Sequence, residues 1–374
     1  LLIDLYVFWV LRSHLLGGSV RRAGWIQAAY LVLSLLSLFI FFSIPRWAQT
    51  PWWKPVGMTL FALAVSWFLA RGVAALFFLV DDVRRLAQWG GSRVYQLAVP
   101  TAVSSGTDIS RSVFMSWMGV IAGSGLIGSL VYGFGNKYRY ESRRQRIHSP
   151  KLPAAFEGLR IVHLSDIHVG SFDDPAAVQR GVDKVMALNP DLIFFTGDLV
   201  NNVASEMGDY ETIFAQLKAP LGVFSVLGNH DYGDYVRWKS PEAKKQNLHD
   251  LMKAHELMGW NLLMDEHRYL EESGEKLAII GVQNIGTGRF PWYGNLGKAH
   301  KGTDEASAKL LLSHDPNHWN AEVTKKYKDI DVAFAGHTHG TQFGVKIAEM
   351  RWSPAQYVYK QWAGLYQEGE QQIY

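Results

Sequence analysis

The chain has 374 residues, a net charge of +3 and no cysteine. The length allows two domains, the small charge gives no electrostatic argument for nucleic-acid binding, and the lack of cysteine excludes disulfides, thiolate metal sites and cysteine nucleophiles. The hydrophobic fraction of 48% is high for a soluble enzyme and is concentrated in the N-terminal third. We therefore expect an apolar domain followed by an ordinary globular one.

Four apolar stretches predict a transmembrane helical domain over residues 1–136. They cover residues 1–16, interpreted as the remnant of a full span, 25–44, 56–79 and 113–134. The second stretch has twenty residues without a charge, the length needed to cross a hydrocarbon core about 30 Å thick. The alternative is a water-soluble helical domain, which charge-free runs of this length disfavour.

Three charged residues interrupt the apolar stretches: Asp4, Arg12 and Arg71. Charged side chains in spans face the interior of the helix bundle, extend to the interface or carry function. The sequence leaves all three roles open for these residues.

A basic segment follows the last span, and residues 137–155 are predicted to be a linker. Its first ten residues contain five cations, Lys137, Arg139, Arg143, Arg144 and Arg146. Positive charge is otherwise nearly balanced between the two faces of a four-span topology, so the positive-inside rule gives only a weak preference. The basic segment favours a cytoplasmic position for the domain that follows, and it would also suit anionic headgroups.

Short β-rich runs alternate with helical or loop segments in residues 156–374, which predicts an α/β layered domain. The predicted strands are 159–165, 191–197, 223–228, 277–282, 309–314 and 331–336. An amphipathic helix is predicted between the first two strands, with Asp174 as its cap and Pro190 as its stop.

Five of these six strands are followed by a carboxylate, a carboxamide or an imidazole. The residues are Asp166, His168, Asp198, Asn229, His314, His337 and His339. Each alone could be a cap, a turn residue or a strand end, but ligand sites of open α/β sheets lie at the carboxyl edge of the strands. Mixed oxygen and nitrogen donors suit Mn, Fe or Zn better than Ca. Seven candidate ligands are too many for one ion and about right for two.

The segments DIH, GDLVNN, GNHD, SHDP and GHTH, in this order, resemble the five signature blocks of calcineurin-like metallophosphoesterases. The resemblance covers about residues 155–365. Together with the preceding spans and the ending RWSPAQYVYKQWAGLY, it is similar to the membrane-anchored bacterial branch of YkuE/YaeI-type phosphodiesterases. That branch also resembles a membrane-bound UDP-diacylglucosamine pyrophosphatase. The resemblance implies that the helical bundle of about four predicted spans lies in a bacterial inner membrane and is followed by an α/β sandwich of two mixed sheets flanked by helices.

The resemblance also implies how two divalent metal ions, with manganese favoured, divide the ligands. The first ion takes Asp166, His168, Asp198 and His339. The second takes Asp198, Asn229, His314 and His337. His230 is implied as a general acid or transition-state stabiliser that Asp231 orients. The two histidines of GHTH are thus expected to reach different ions.

We therefore predict a metal-dependent phosphoric ester hydrolase that cleaves a phosphodiester or pyrophosphate bond through metal-activated hydroxide. The expected substrate is lipid-linked or otherwise amphiphilic, and nucleic acid is not expected as a partner. The alternatives are a phosphomonoesterase with a simple membrane anchor, and a non-catalytic scaffold or sensor on the same fold. The latter predicts missing ligands, and none is missing.

The segment 285–300 carries no signature that identifies its role. It is either an ordinary surface loop or a substrate cap in which Arg289 grips a phosphate. Asn202 is a second candidate substrate contact. Both ends of the chain look cut, and part of the sheet is expected to lie beyond Tyr374.

Overall fold

The computed structural model describes residues 2–12, 20–47, 54–98, 112–288, 290–340, 344–347 and 350–374. The chain divides into two compact units, Leu1–Tyr140 and Glu141–Tyr374. The two units are described separately below.

The first unit is helical. Its helices are α1 (Leu2–Val10), α2 (Val20–Trp47), α3 (Lys54–Ala98) and α4 (Val113–Gly135). Three of them contain apolar segments long enough to cross a membrane, Gly24–Ser43, Val56–Tyr95 and Val113–Gly135. The first predicted span corresponds to α1, which has nine residues, and residues 13–19 lie outside the described part of the chain.

Helix α3 is longer than the sequence predicted, because it continues to Ala98 rather than ending near residue 79. Two ion pairs with i,i+3 spacing support the continuation: Arg84 with Asp81 at 2.9 Å and Arg85 with Asp82 at 3.2 Å. At 1.5 Å per residue the 45 residues extend roughly 68 Å. The helix is therefore about twice as long as a hydrocarbon core is thick.

Asp4 and Arg71 form an ion pair inside the helical unit. Only 8% of Asp4 and 4% of Arg71 are exposed. Arg71 also donates from Nη1 to Ser34 Oγ at 3.1 Å and from Nε to the carbonyl of Trp67 at 3.2 Å. The pair joins α1 to α3, with a hydroxyl of α2 satisfying part of the guanidinium. Of the three roles left open by the sequence, Asp4 and Arg71 take the interior-facing one, whereas Arg12 is exposed.

Glycines let α4 pack closely on α3. A Cβ on Gly119 would lie 3.0 Å from the carbonyl oxygen of Ala74, and a Cβ on Gly123 would lie 2.9 Å from that of Ala70. Side chains at these positions would push the helices apart. This is the small-residue packing expected of helices in lipid.

The second unit is an α/β sandwich. Its first sheet pairs β1 (Ile161–Leu164), β2 (Leu192–Phe195), β3 (Val223–Ser225) and β4 (Asn261–Leu262) in chain order. All three pairings are parallel, so the prediction of two mixed sheets is wrong for this sheet. The physical reason is that no hairpin joins its strands: each connection returns to the starting end before the next strand begins.

The second sheet is mixed. In spatial order it contains β11 (Tyr366–Glu368), β12 (Gln371–Ile373), β8 (Val332–Phe334), β7 (Ala308–Leu312), β6 (Glu275–Gly281) and β5 (Glu266–Glu272). The two outer pairings, β11 with β12 and β5 with β6, are antiparallel, and the inner ones are parallel. A separate antiparallel pair contains β9 (Val345–Ile347) and β10 (Met350–Trp352). All six predicted strands are present, most of them shorter than predicted.

Helices complete the layers of the second unit. They are α5 (Pro175–Met186), α6 (Tyr210–Phe214), α7 (Pro241–Leu257), α8 (Leu296–His300) and α9 (Thr324–Lys326). The predicted cap of α5 is confirmed, since Asp174 Oδ1 accepts from the amide of Ala177 at 2.9 Å. The helix ends at Met186, before Pro190.

The main core lies between the two sheets. Phe194 and Phe224 of the first sheet are buried against Ile279 of the second. Because successive strand residues point to opposite faces, the neighbouring Ile280 belongs to another buried cluster, which includes Trp319. Both faces of the second sheet are therefore covered, and the functional side chains lie at the ends of the strands.

Candidate metal centre

Polar residues follow the carboxyl ends of five parallel strands, three from the first sheet and two from the second. Asp166 and His168 follow β1, Asp198 follows β2, Asn229 follows β3, His314 follows β7, and His337 and His339 follow β8. Parallel strands that end at one edge bring these side chains together. The two sheets of the sandwich thus contribute to one site.

The backbone at the site is unusually bent. Five of the eight non-glycine residues with positive φ in the described chain are predicted metal ligands, namely Asp166 (53°), His168 (47°), Asp198 (57°), His337 (69°) and His339 (47°). Positive φ is disfavoured for residues with a Cβ because of steric strain. The strained conformation persists where surrounding contacts determine it. The bends turn side chains from separate loops toward the same point.

The first ligand group contains Asp166, His168, Asp198 and His339, whose ligand atoms all lie within 4.8 Å of one another. His168 Nε2 lies 3.3 Å from His339 Nε2 and 3.5 Å from Asp198 Oδ2. His339 Nε2 lies 3.4 Å from Asp166 Oδ1. Four donor atoms therefore surround one small space.

The second ligand group contains Asp198, His314 and His337, again within 4.8 Å. His314 Nε2 lies 3.2 Å from Asp198 Oδ2, 3.2 Å from His337 Nδ1 and 3.1 Å from Asn229 Oδ1. Asp198 is common to both groups, and the two histidines of GHTH fall in different groups. Asn229 Oδ1 lies beside the second group, and the role of these side chains as metal ligands stays a prediction.

The chemistry of the donor atoms fits a pair of divalent cations. Asp198 Oδ2 is fully buried and has no well-directed hydrogen bond from any described residue, although imidazole nitrogens of His168 and His314 lie near it. Imidazole nitrogens that face each other at 3.2–3.3 Å bring lone pairs together unless a proton or a cation lies between them. Oxygen and nitrogen donors without sulfur are typical ligands of Mn, Fe and Zn.

Outer hydrogen bonds fix the ligand rings. His314 Nδ1 donates to the carbonyl of Thr196 at 2.7 Å, which leaves Nε2 of the neutral ring free to bind a cation. His337 Nε2 contacts the hydroxyl of Tyr359 at 3.0 Å, which leaves Nδ1 directed at His314. The His337 amide donates to Asp166 Oδ2 at 2.9 Å. Such contacts orient metal-binding histidines.

The charges of the second group are strongly coupled. Burial alone would raise the pKa of Asp198, but the neighbouring His314 and His168 hold it well below its usual value. Burial alone would lower the pKa of His314, but Asp198 raises it to about 10. Burial, together with the charge of His314, lowers the pKa of His337 to about 3. A metal ion that binds His314 must therefore displace its proton.

His230 lies at the rim of the site. Its Nδ1 donates to the carbonyl of Asn201 at 2.6 Å, and its backbone amide donates to Asp198 Oδ1 at 2.9 Å. The ring centroid lies 4.8 Å from that of His168. With Nδ1 bonded to Asn201, Nε2 is the nitrogen left for other contacts.

Asp231 does not take the orienting role that the sequence suggested, because the His230 ring is held by Asn201. Both oxygens of the Asp231 carboxylate instead accept from backbone amides, those of Asp198 (2.9 Å), Leu199 (2.8 Å), Val200 (3.2 Å) and Gly228 (2.8 Å). Burial and the charge of Asp198 raise the pKa of Asp231 to about 7. Asp231 therefore ties together the two loops that carry Asp198 and Asn229.

Glycine is required where these loops approach each other. A Cβ on Gly228 would overlap Asp198 Oδ1, and a Cβ on Gly336 would overlap Ser165 Oγ and Asp166 Oδ2. The missing side chains let the loops pack against the ligand carboxylates.

A cavity of about 400 Å³ opens onto the ligand groups. It is lined by Asp198, Asn229, His230, Tyr235, Phe290, His337, Thr338, His339 and Tyr359. Four of these residues were not predicted from the sequence: Tyr235, Phe290, Thr338 and Tyr359. Of the two predicted substrate contacts, Asn202 is half-buried and does not line the cavity, and Arg289 lies outside the described residues.

The segment 285–300 is anchored beside the site. Tyr293 stacks on Tyr232 with ring centroids 3.9 Å apart and donates to Asp234 Oδ2 at 2.8 Å. The rings of Phe290 and His337 are nearly perpendicular, with centroids 4.8 Å apart. The segment thus forms part of the cavity wall.

Comparison with known proteins agrees with this geometry. Residues 159–341 match the sequence model of the "Calcineurin-like phosphoesterase" family, and residues 1–136 match that of "Probable Calcineurin-like phosphoesterase, transmembrane domain". The chain carries a calcineurin-like phosphoesterase domain, preceded by the transmembrane domain of such phosphoesterases. The matched family and the ligand groups support a metal-dependent phosphoester hydrolase with a membrane domain.

Three relatives of this phosphoesterase are informative. A zebrafish (Danio rerio) "Transmembrane protein with metallophosphoesterase domain" is 31% identical over 51% of this chain and 43% of its own length. Metallophosphoesterase YkuE of Bacillus subtilis is 27% identical over 71% of this chain and 89% of its own length. UDP-2,3-diacylglucosamine pyrophosphatase LpxG of Chlamydia muridarum is 28% identical over 52% of this chain and 68% of its own length.

Asp231→Asn tests the structural role of this carboxylate. The amide NH₂ group would face backbone amides that need an acceptor, so we expect a loss of about 2 kcal/mol or more in the free energy of unfolding. The thermal midpoint of the purified full chain, followed by tryptophan fluorescence, should fall by about 5 °C or more. Asp250→Asn on the exposed face of α7 is the control. A wild-type midpoint with lost activity would instead give Asp231 a catalytic role.

Proposed function

We propose that the protein is a membrane-anchored dimetal phosphoesterase that hydrolyses a phosphodiester or pyrophosphate bond of an amphiphilic, lipid-linked substrate. The observation that carries this proposal is the pair of ligand groups that share Asp198 at a cavity of about 400 Å³. A phosphate that enters the cavity would meet both groups at once.

Two divalent ions bound there would supply a hydroxide nucleophile at neutral pH and neutralise phosphate charge. The protein's own contribution is to hold the donor atoms. Asp198 offers one buried oxygen to both groups, and Asp166 and Asn229 add oxygen donors on either side. Manganese is the ion we favour, because the donors combine carboxylate, carboxamide and imidazole.

His230 is the proposed acid or transition-state stabiliser. Its ring lies in the cavity wall beside His168. Because Nδ1 donates to the carbonyl of Asn201, Nε2 is directed to other partners. From there it would contact a phosphate oxygen or give a proton to the leaving oxygen.

Two features support the proposed substrate class: the aromatic wall of the cavity and the membrane domain. Tyr235, Phe290 and Tyr359 line the cavity, and aromatic rings accommodate sugar or base rings and acyl chains. The site and the transmembrane domain belong to the same chain. One relative is named for a diacylated nucleotide-sugar pyrophosphate, and we extend that substrate class to this protein.

Two alternative functions would use the same fold. A phosphomonoesterase would use the same ions with the membrane domain as a simple anchor. A non-catalytic scaffold or sensor needs no complete ligand set, whereas here six candidate ligand residues form two groups that share a carboxylate, with Asn229 Oδ1 beside the second group. The second alternative is therefore the weaker.

Metal dependence is the first test. After treatment with EDTA, the purified protein should hydrolyse bis(p-nitrophenyl) phosphate only when Mn²⁺ or a similar ion is restored. Asp198→Asn and His337→Ala each remove a proposed ligand and should lower kcat/KM at least about 100-fold. His249→Ala is the matched control, because this side chain on α7 is 73% exposed. Wild-type turnover by His337→Ala at saturating Mn²⁺ would contradict the two-ion assignment.

Substrate comparison is the second test. UDP-diacylglucosamine, phospholipids, cyclic nucleotides and p-nitrophenyl phosphate would be assayed side by side under the same metal conditions. We expect the highest kcat/KM for an acylated diester or pyrophosphate, because its phosphate would bind the ligand groups while its apolar part contacts the aromatic wall. A monoester that is cleaved faster than every acylated compound would favour the phosphomonoesterase alternative.

We further propose that the membrane is a bacterial inner membrane and that the catalytic unit faces the cytoplasm. The support is the exposed basic segment formed by Lys137, Arg139, Arg143, Arg144 and Arg146. Fusions after residue 150 would test this. Green fluorescent protein should fluoresce at this position and alkaline phosphatase should be inactive, whereas the reverse pattern would place the catalytic unit outside the cytoplasm.

A further inference from the structure

Tyr235 is a cavity residue that the proposed reaction does not yet use. Its side chain is partly exposed, at 48%, and its hydroxyl accepts from Asn229 Nδ2 at 2.8 Å. Its ring packs against that of His230 with centroids 4.5 Å apart. One tyrosine therefore contacts both a proposed metal ligand and the proposed acid.

The orientation of the Asn229 carboxamide decides whether it can bind a cation, since only its oxygen is a ligand. Oδ1 lies 3.1 Å from His314 Nε2. His314 Nδ1 donates to the carbonyl of Thr196, so Nε2 is the nitrogen that faces the second ligand group. A rotated carboxamide would place its NH₂ group against Nε2 and turn the oxygen away from the second ligand group.

The Tyr235 hydroxyl satisfies the NH₂ group when the oxygen faces the ligands. Asn229 is 2% exposed, so a carboxamide NH₂ group without a partner would be costly. In the observed orientation the hydroxyl accepts from that group and the oxygen remains with the ligands. Without the hydroxyl, the orientation that keeps the oxygen with the ligands would leave the NH₂ group without this hydrogen bond.

We propose that Tyr235 is a positioning residue that holds the Asn229 carboxamide with its oxygen toward the second ligand group, and thereby sets the metal affinity of that group alone. This inference rests on the proposed two-ion site. The first ligand group takes no atom from Asn229, so it should not respond to changes at Tyr235.

Calorimetric titration of the metal-free full chain with MnCl₂ tests the proposal. Wild type should bind two ions. Tyr235→Phe keeps the ring beside His230 and removes the hydroxyl, and it should weaken one site about 10- to 100-fold while leaving the other unchanged. Tyr293→Phe is the matched control, because it removes a nearby phenol that bonds Asp234 rather than Asn229.

Activity provides a second readout. For Tyr235→Phe, the Mn²⁺ concentration that gives half-maximal hydrolysis of bis(p-nitrophenyl) phosphate should rise by the same factor, and kcat at saturating Mn²⁺ should return toward the wild-type value. The thermal midpoint of the metal-free protein should fall only by the few degrees that one lost hydrogen bond costs. A merely structural role would produce that fall without the change in Mn²⁺ affinity.

The outcomes separate the two proposals. If wild type binds two ions and Tyr235→Phe binds both as tightly, the role of Tyr235 is wrong and the proposed function stands. If wild type binds fewer than two ions, the two-ion function fails and this inference fails with it.

Discussion

The buried carboxylate of Asp198 is the group around which the other residues of the site are arranged. Oδ1 accepts from the amide of His230 at 2.9 Å, and Oδ2 lies between nitrogens of His168 and His314 at 3.5 and 3.2 Å. The residue's own amide is held by Asp231. A charge in this position is tolerable only among cationic or hydrogen-bonding partners, and both sheets supply them.

The helical first unit also buries charge, in an ion pair between two helices. Asp4 and Arg71 are buried among apolar helices and satisfy each other, with Ser34 as an additional acceptor. Loss of either partner would leave an isolated charge where water is scarce. In the first unit, Leu1–Tyr140, the buried charges join helices. In the second unit, Glu141–Tyr374, the buried carboxylate of Asp198 belongs to both groups of candidate metal ligands.

Local patterns in the sequence were sufficient for much of this architecture. The six strands, the cap at Asp174 and the polar residues at the strand ends all depend on neighbours in the chain, so the sequence alone predicted them. The grouping of the ligands came from a family resemblance, and the side chains of His337 and His339 lie in the two groups expected.

Features that depend on distant contacts were missed or predicted incorrectly. The all-parallel first sheet depends on how the connections cross, and the role of Asp231 depends on amides more than thirty residues earlier in the chain, at Asp198 and Leu199. Tyr235 and Tyr359 carry no motif of their own, because a phenol at the edge of a cavity can be recognised only once the cavity is formed.

The candidate ligands come from both sheets of the sandwich. Each ligand group combines residues that follow strands of the first sheet with at least one histidine that follows β7 or β8 of the second. Ions bound there would cross-link the two halves of the sandwich across a large separation in sequence, from Asp166 to His339. A chain with unpaired sheets offers no complete group, so metal ions would select the assembled sandwich and raise its resistance to heat, in the absence of any substrate.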